Sequence, residues 1–90
     1  FGKHMEKLPV SSNKSQIGHT LGASAAIEAA LGIEAMRNGF ILPTVNHIPD
    51  PELADVDVVP NQVRRQNYDI FLSNAFGFGG TNCCIVFKGV

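Results

Sequence analysis

In the stretch NKSQIGHT, residues 13–20, a lysine, a glycine and a histidine fall within six positions, immediately ahead of a run built to be helical. Taken singly, Lys14 reads as a solvated surface amine and His19 as a satisfied cap histidine. Their position suggests more. An imidazole at a helix N-terminus faces the positive end of the helix dipole, which disfavours its protonation. A neutral imidazole held there can donate an N–H to a carbonyl oxygen as that oxygen gains charge. Gly18, just before it, leaves room for a ligand to approach the backbone. Glu28 is a carboxylate in the middle of a small-residue segment and needs a partner.

The second chemical candidate is NAFGFGGTN, residues 74–82, where two phenylalanines and three glycines separate two strand-like segments. Glycine weakens a strand and an exposed Phe gains nothing from burial, so bare backbone is wanted here for another reason. Phe76 reads as a packing residue.

These groups need elements to hold them. LGASAAIEAALGIEAMRN predicts a helix over 21–38, rich in Ala and Leu and free of Pro, with Thr20 as N-cap and Gly39 as C-terminal cap. Its first half is small or apolar on every side, which predicts burial all round. Glu34 and Arg37 are placed to pair at i,i+3 near the surface. A short strand is expected over 8–12. FILPTVN, 40–46, is expected to be extended. The proline- and acid-rich 47–66 reads as a surface loop with a short strand near 56–59. Strands over 68–73 and 83–87, joined through the glycine-rich segment, predict an antiparallel hairpin. The fold class is therefore α/β: strand, buried helix, hairpin. The near-unbroken apolar strands call for cover on both faces, which ninety residues do not supply, so the missing layer is expected from elsewhere.

Bulk properties agree. Hydrophobic residues make up 44% of the chain, the range of one small globular domain of marginal stability alone. A net charge of −1 with scattered basic residues argues against nucleic-acid or membrane-surface binding. No apolar run is long enough to span a membrane, and FGKHMEKLPV lacks a signal peptide's apolar core. Phe rather than Met at position 1 fits a chain that begins partway through a longer polypeptide. Cys83 and Cys84 are adjacent, so a bridge between them would be strained. They read as buried free thiols, which suggests a reducing, cytoplasmic setting. His4 and His47 are expected to be exposed.

NKSQIGHTLGASAAIEA followed by SNAFGFGGTN resembles the C-terminal part of the β-ketoacyl-[acyl-carrier-protein] synthases, the elongating condensing enzymes of fatty acid and polyketide synthesis. The likeness runs over about 8–88 and includes LPTVNHIPDPELADVDVVPN, similar to the family's LPPTxNxxxPDPxxxxDxVPN region. It implies a thiolase-like fold, of which residues 1–90 would be a C-terminal segment, incomplete on its own. It also implies acyl transfer through a Cys-His-His set. The Cys is acylated by acyl carrier protein, the histidines assist decarboxylation of malonyl-carrier protein, and the carbanion attacks the acyl thioester. By motif position, His19 matches the second catalytic histidine, Lys14 the lysine of KSxxGH, and Glu28 the helix glutamate that partners it. Phe78 matches the residue whose N–H serves the oxyanion hole and whose ring gates the acyl pocket, flanked by Gly77 and Gly79.

The nucleophilic Cys and the first histidine would lie upstream, and Cys83 and Cys84 fall where the family carries variable strand residues. The chain alone is expected to be inactive, with carrier protein, the rest of the synthase chain and a homodimer mate as partners, and without metal or cofactor. Ala25 and Ala75 stand where many members carry Gly and Ser, small-for-small changes. Two other readings stay open: a non-catalytic or split-subunit partner that completes a synthase site by docking to another chain, and an independent small acyl-binding module.

Overall fold

A computed structural model describes all of residues 1–90. After a 3-10 turn at Gly2–Lys7, the chain forms a one-turn helix α1 (Lys14–Ile17), a 3-10 turn at Leu21–Ala23 and the main helix α2 (Ser24–Arg37). Four strands follow: β1 (Phe40–Ile41), β2 (Arg64–Arg65), β3 (Ile70–Phe76) and β4 (Asn82–Lys88), with a 3-10 turn at Pro51–Leu53 between the first two. β1 pairs with β2 and β3 with β4, both antiparallel, as two separate two-stranded sheets.

α2 forms where the Ala- and Leu-rich run predicts it and ends as expected, with Gly39 at φ +67 just past the C-cap Asn38. The expected Glu34–Arg37 pair is present at 3.9 Å on the surface. The helix start differs: Thr20 caps nothing with its side chain, and a 3-10 turn intervenes before Ser24. α2 lies against β3, and the packing is close enough to demand glycine. A Cβ built on Gly32 would stand 2.6 Å from the Phe71 ring. Phe71 in turn stacks on Phe87 across the hairpin, centroids 4.8 Å apart.

The hairpin register pairs Phe71 with Phe87 and Phe76 with Asn82. Phe71, Ser73 and Ala75 alternate toward the helix, while Leu72 and Val86 share the opposite, open face. The strands run further into the glycine-rich segment than the sequence suggests, leaving Gly77–Thr81 as the turn, closed by Gly77 N–H donating to the Thr81 carbonyl at 2.7 Å.

Several expectations fail for identifiable reasons. The 8–12 segment is extended but joins no ladder: Pro9 has no N–H to give, and Val10 N–H donates to the Asp57 carbonyl at 2.8 Å instead. The 56–59 segment forms no strand, because Val59 turns to φ +49 while its carbonyl accepts from Thr44 N–H at 2.9 Å. Cys83 and Cys84 are exposed rather than buried, since neither face of β4 is covered at these positions. His47 is half-buried, its backbone N–H and carbonyl both clasped by the Asn61 side chain at 3.0 and 3.1 Å; His4 is exposed as expected. The small-residue half of α2 is open, because β1 and β3 pack on one side only. Four of ninety residues are buried, so this chain has helix and sheet faces that only further structure can cover.

Candidate functional site

α1, the start of α2 and the end of the hairpin converge on one open cleft. Lys14, His19, Ser24, Glu28, Asn74, Ala75, Gly77 and Cys83 are among the side chains and backbone that line it. Four of the six candidate residues are therefore brought together. Phe78 and Gly79 are not part of the lining; they occupy the hairpin tip, where the Phe78 side chain is 99% exposed. The Phe78 N–H makes no hydrogen bond within the chain, so a donor is left available there.

Lys14 on α1 pairs with Glu28 on α2, the cross-element partnership that the mid-helix carboxylate needs. The Glu28 side chain is 15% exposed and the Lys14 side chain 39%. This is the ammonium's only hydrogen bond in the chain, so two of its three donors remain.

Gly18 sits at φ +77, ψ 173, a region that only glycine occupies comfortably. That turn ends α1 and delivers His19. Its Nδ1 accepts the Leu21 N–H at 3.2 Å and lies 2.8 Å from Ser24 Oγ. A backbone N–H can only donate, so Nδ1 is the acceptor and the proton of the neutral ring resides on Nε2. Nε2 has no partner in the chain. The imidazole is therefore a neutral N–H donor on the cleft wall, beside a fixed ion pair. Such a set can stabilise negative charge developing on a bound carbonyl oxygen.

The sequence reading missed Ser24, 6% exposed and bonded to both His19 and Thr20. Its only sequence signal is a hydroxyl five positions after the histidine, inside a run of alanines. Cys83 was placed away from the chemistry, yet it lines the cleft from β4. None of the ninety residues forms a cluster of metal-ligand side chains, and no helix is long and apolar enough to cross a membrane.

Comparison with known proteins gives a consistent picture. Residues 1–47 match the family model described as beta-ketoacyl synthase, C-terminal domain. All of this chain is similar to 3-oxoacyl-[acyl-carrier-protein] synthase 2 of Coxiella burnetii, at 46% identity over 90 residues. The chain spans about a fifth of the length of that relative, 22%. Among solved structures, a type II polyketide ketosynthase, in complex with its acyl-carrier protein and bound to a hexaketide, superposes with a TM-score of 0.91. It is 33% identical and the match covers 99% of this chain and 22% of that one. A beta-ketoacyl synthase from Burkholderia phymatum superposes with a TM-score of 0.86 at 40% identity, over 92% of this chain and 21% of its own.

Proposed function

The chain belongs to the β-ketoacyl synthase family and adopts part of the thiolase-like fold; from that premise we propose that it carries the malonyl-facing half of a condensing active site. Residues 1–90 form a C-terminal segment of the synthase, and the rest of that chain supplies the cysteine nucleophile and the first catalytic histidine. The reaction joins an acyl group to malonyl-carrier protein. Acyl-carrier protein first transfers its acyl group to the cysteine, releasing the carrier thiol. Malonyl thioester then loses CO2, and its electron pair becomes an enolate. The enolate carbon attacks the acyl-cysteine, forming the new C–C bond and expelling the cysteine thiolate.

His19 Nε2–H donates to the malonyl thioester oxygen as that oxygen becomes anionic. The single observation that carries this role is the double claim on Nδ1 by Leu21 N–H and Ser24, which leaves Nε2 as the donor. A neutral donor does not lose its proton to the enolate, so charge is stabilised without quenching the carbanion. Lys14, paired with Glu28, sets the local potential and is an organiser rather than a base. The Phe78 N–H serves the other oxyanion, on the acyl thioester, and its ring, flanked by Gly77 and Gly79, gates the acyl pocket.

The partners are acyl carrier protein, the remainder of the synthase and a second copy in a homodimer. Two free thiols fit a cytoplasmic enzyme. The open helix face and the lack of the nucleophilic cysteine and first catalytic histidine among these motifs support inactivity of the 90 residues alone.

The test is His19→Ala in the full-length synthase. Malonyl decarboxylation is expected to fall by about a hundredfold or more, the order found on removing one oxyanion donor, while acylation of the cysteine by acyl-carrier protein persists. Loss of acylation with decarboxylation intact would overturn the role.

A further inference from the structure

Ser24 is one of the four buried residues of the chain, and it stands at the first position of α2. A buried hydroxyl must have its hydrogen-bonding capacity met. Three groups meet it here: Thr20 N–H at 2.9 Å, Thr20 Oγ1 at 3.1 Å and His19 Nδ1 at 2.8 Å. Thr20 N–H can only donate, which occupies one lone pair of Ser24 Oγ. The serine proton then has two places to go, Nδ1 or Thr20 Oγ1. An imidazole nitrogen is the stronger base and lies closer. With the serine proton on Nδ1, Thr20 Oγ1 donates to the second lone pair, and every site on Ser24 is used.

Nδ1 thus faces two donors, Leu21 N–H and Ser24 O–H, and no acceptor. The turn that brings the Leu21 N–H into place holds a bulky side chain at φ +52, in the left-handed region. A conformation of that kind costs on the order of 1–3 kcal/mol and persists where surrounding structure enforces it. Nothing else in the turn uses that N–H.

We propose that Ser24 is a positioning residue for His19: its hydroxyl donates to Nδ1, locking the ring as the Nε2–H tautomer and fixing its orientation toward the cleft. This rests on the reading of His19 as the donor to the malonyl oxygen. The other titratable groups on the cleft are Lys14 from α1 and Glu28 from α2, paired with one another, and Cys83 from β4. None of them contacts Nδ1. Removing the serine hydroxyl therefore takes away one of the two donors that hold Nδ1.

The experiment uses the full-length synthase with Ser24→Ala and Ser24→Thr. For Ser24→Ala, kcat for malonyl decarboxylation is expected to fall about five- to thirtyfold, the loss of one hydrogen bond. KM for malonyl-carrier protein and the rate of cysteine acylation stay unchanged. Ser24→Thr, which keeps the hydroxyl, restores the parent kcat. An unchanged kcat in Ser24→Ala overturns the proposal, as does a parallel fall of decarboxylation and acylation. A readout that needs no variant is the nitrogen spectrum of the parent enzyme carrying 15N-labelled histidine. It is expected to show the neutral His19 protonated at Nε2, and protonation at Nδ1 overturns the proposal. If His19→Ala itself leaves decarboxylation intact, the reading of the site fails; if only Ser24→Ala does so, the serine's role alone fails.

Discussion

Lys14–Glu28 and Arg64–Asp57 are both ion pairs that join separate elements or turns, and both are partly sheltered, at 39% and 15% exposure in the first and 36% and 26% in the second. They differ in how the carboxylate is held and in what stands beside the pair. Arg64 grips both oxygens of Asp57. The same carboxylate also accepts Val59 N–H at 3.2 Å, while the Asp57 carbonyl accepts Val10 N–H at 2.8 Å. Both carboxylate oxygens are bonded there, and the centre holds the strained Val59 turn, the β2 strand and the 8–12 segment together. Lys14–Glu28 makes a single contact, keeps two ammonium donors free and stands on the same cleft wall as His19. A charge pair thus marks a site by its neighbours, rather than by its existence.

Breaking each pair separates the two roles. Glu28→Ala in the full-length synthase is expected to lower condensation about ten- to hundredfold, the range for removing a hydrogen bond to a partly sheltered charge. Steady-state turnover with acyl- and malonyl-carrier protein measures it, and full activity would move this pair into the class of Asp57–Arg64. Asp57→Asn is expected to leave turnover within about twofold and to cost about 1 kcal/mol of stability, the value for a charged hydrogen bond discounted for its exposure.

The sign of its pH dependence follows from Arg64, whose hydrogen bond is the largest influence and holds the Asp57 carboxyl below its usual value of 3.8, against a smaller opposing effect of burial. Stabilisation is therefore fully present above about pH 4 and fades as pH falls through the lowered folded value. Urea denaturation between pH 3 and 7 checks this, with Asp57→Asn expected to lose that part of the acid-side slope. Arg37→Ala is the baseline of the comparison. Its 3.9 Å pair with Glu34 is exposed on both sides and is expected to contribute at most a few tenths of a kcal/mol, within the scatter of thermal denaturation.

What could be read from the sequence was whatever carried a long pattern or a dense motif. α2 spans fourteen residues of good helix formers, and β3 and β4 are seven residues each, so both elements emerged from composition alone. Lys14, His19 and Glu28 were legible because their types are rare in such surroundings. β1 and β2 were not, because two-residue strands have no periodicity and their pairing is decided by contacts far apart in the chain. The 56–59 segment looked like a strand from its valines, but Asp57 offers its carboxylate to Val59 N–H, and that local bond replaces a ladder bond. Ser24 was invisible for a different reason. Among alanines it looks like one more small residue, and only its burial beside an imidazole distinguishes it. The cysteines were misplaced because apolar strand residues imply a covered sheet, and β4 is uncovered at 83 and 84 in this chain.

Gly32 has a mechanical meaning beyond its fit against Phe71. One wall of the cleft rides on α2 through Ser24 and Glu28, and the facing wall rides on β3 through Asn74 and Ala75. One turn below Glu28, between those two rods, an aromatic ring is pressed on bare backbone, and that ring is itself backed by Phe87. The contact works as a spacer gauge: it sets the gap between the jaws from a point that touches no ligand. A single added methyl would act as a shim, and its effect would be felt where the jaws close.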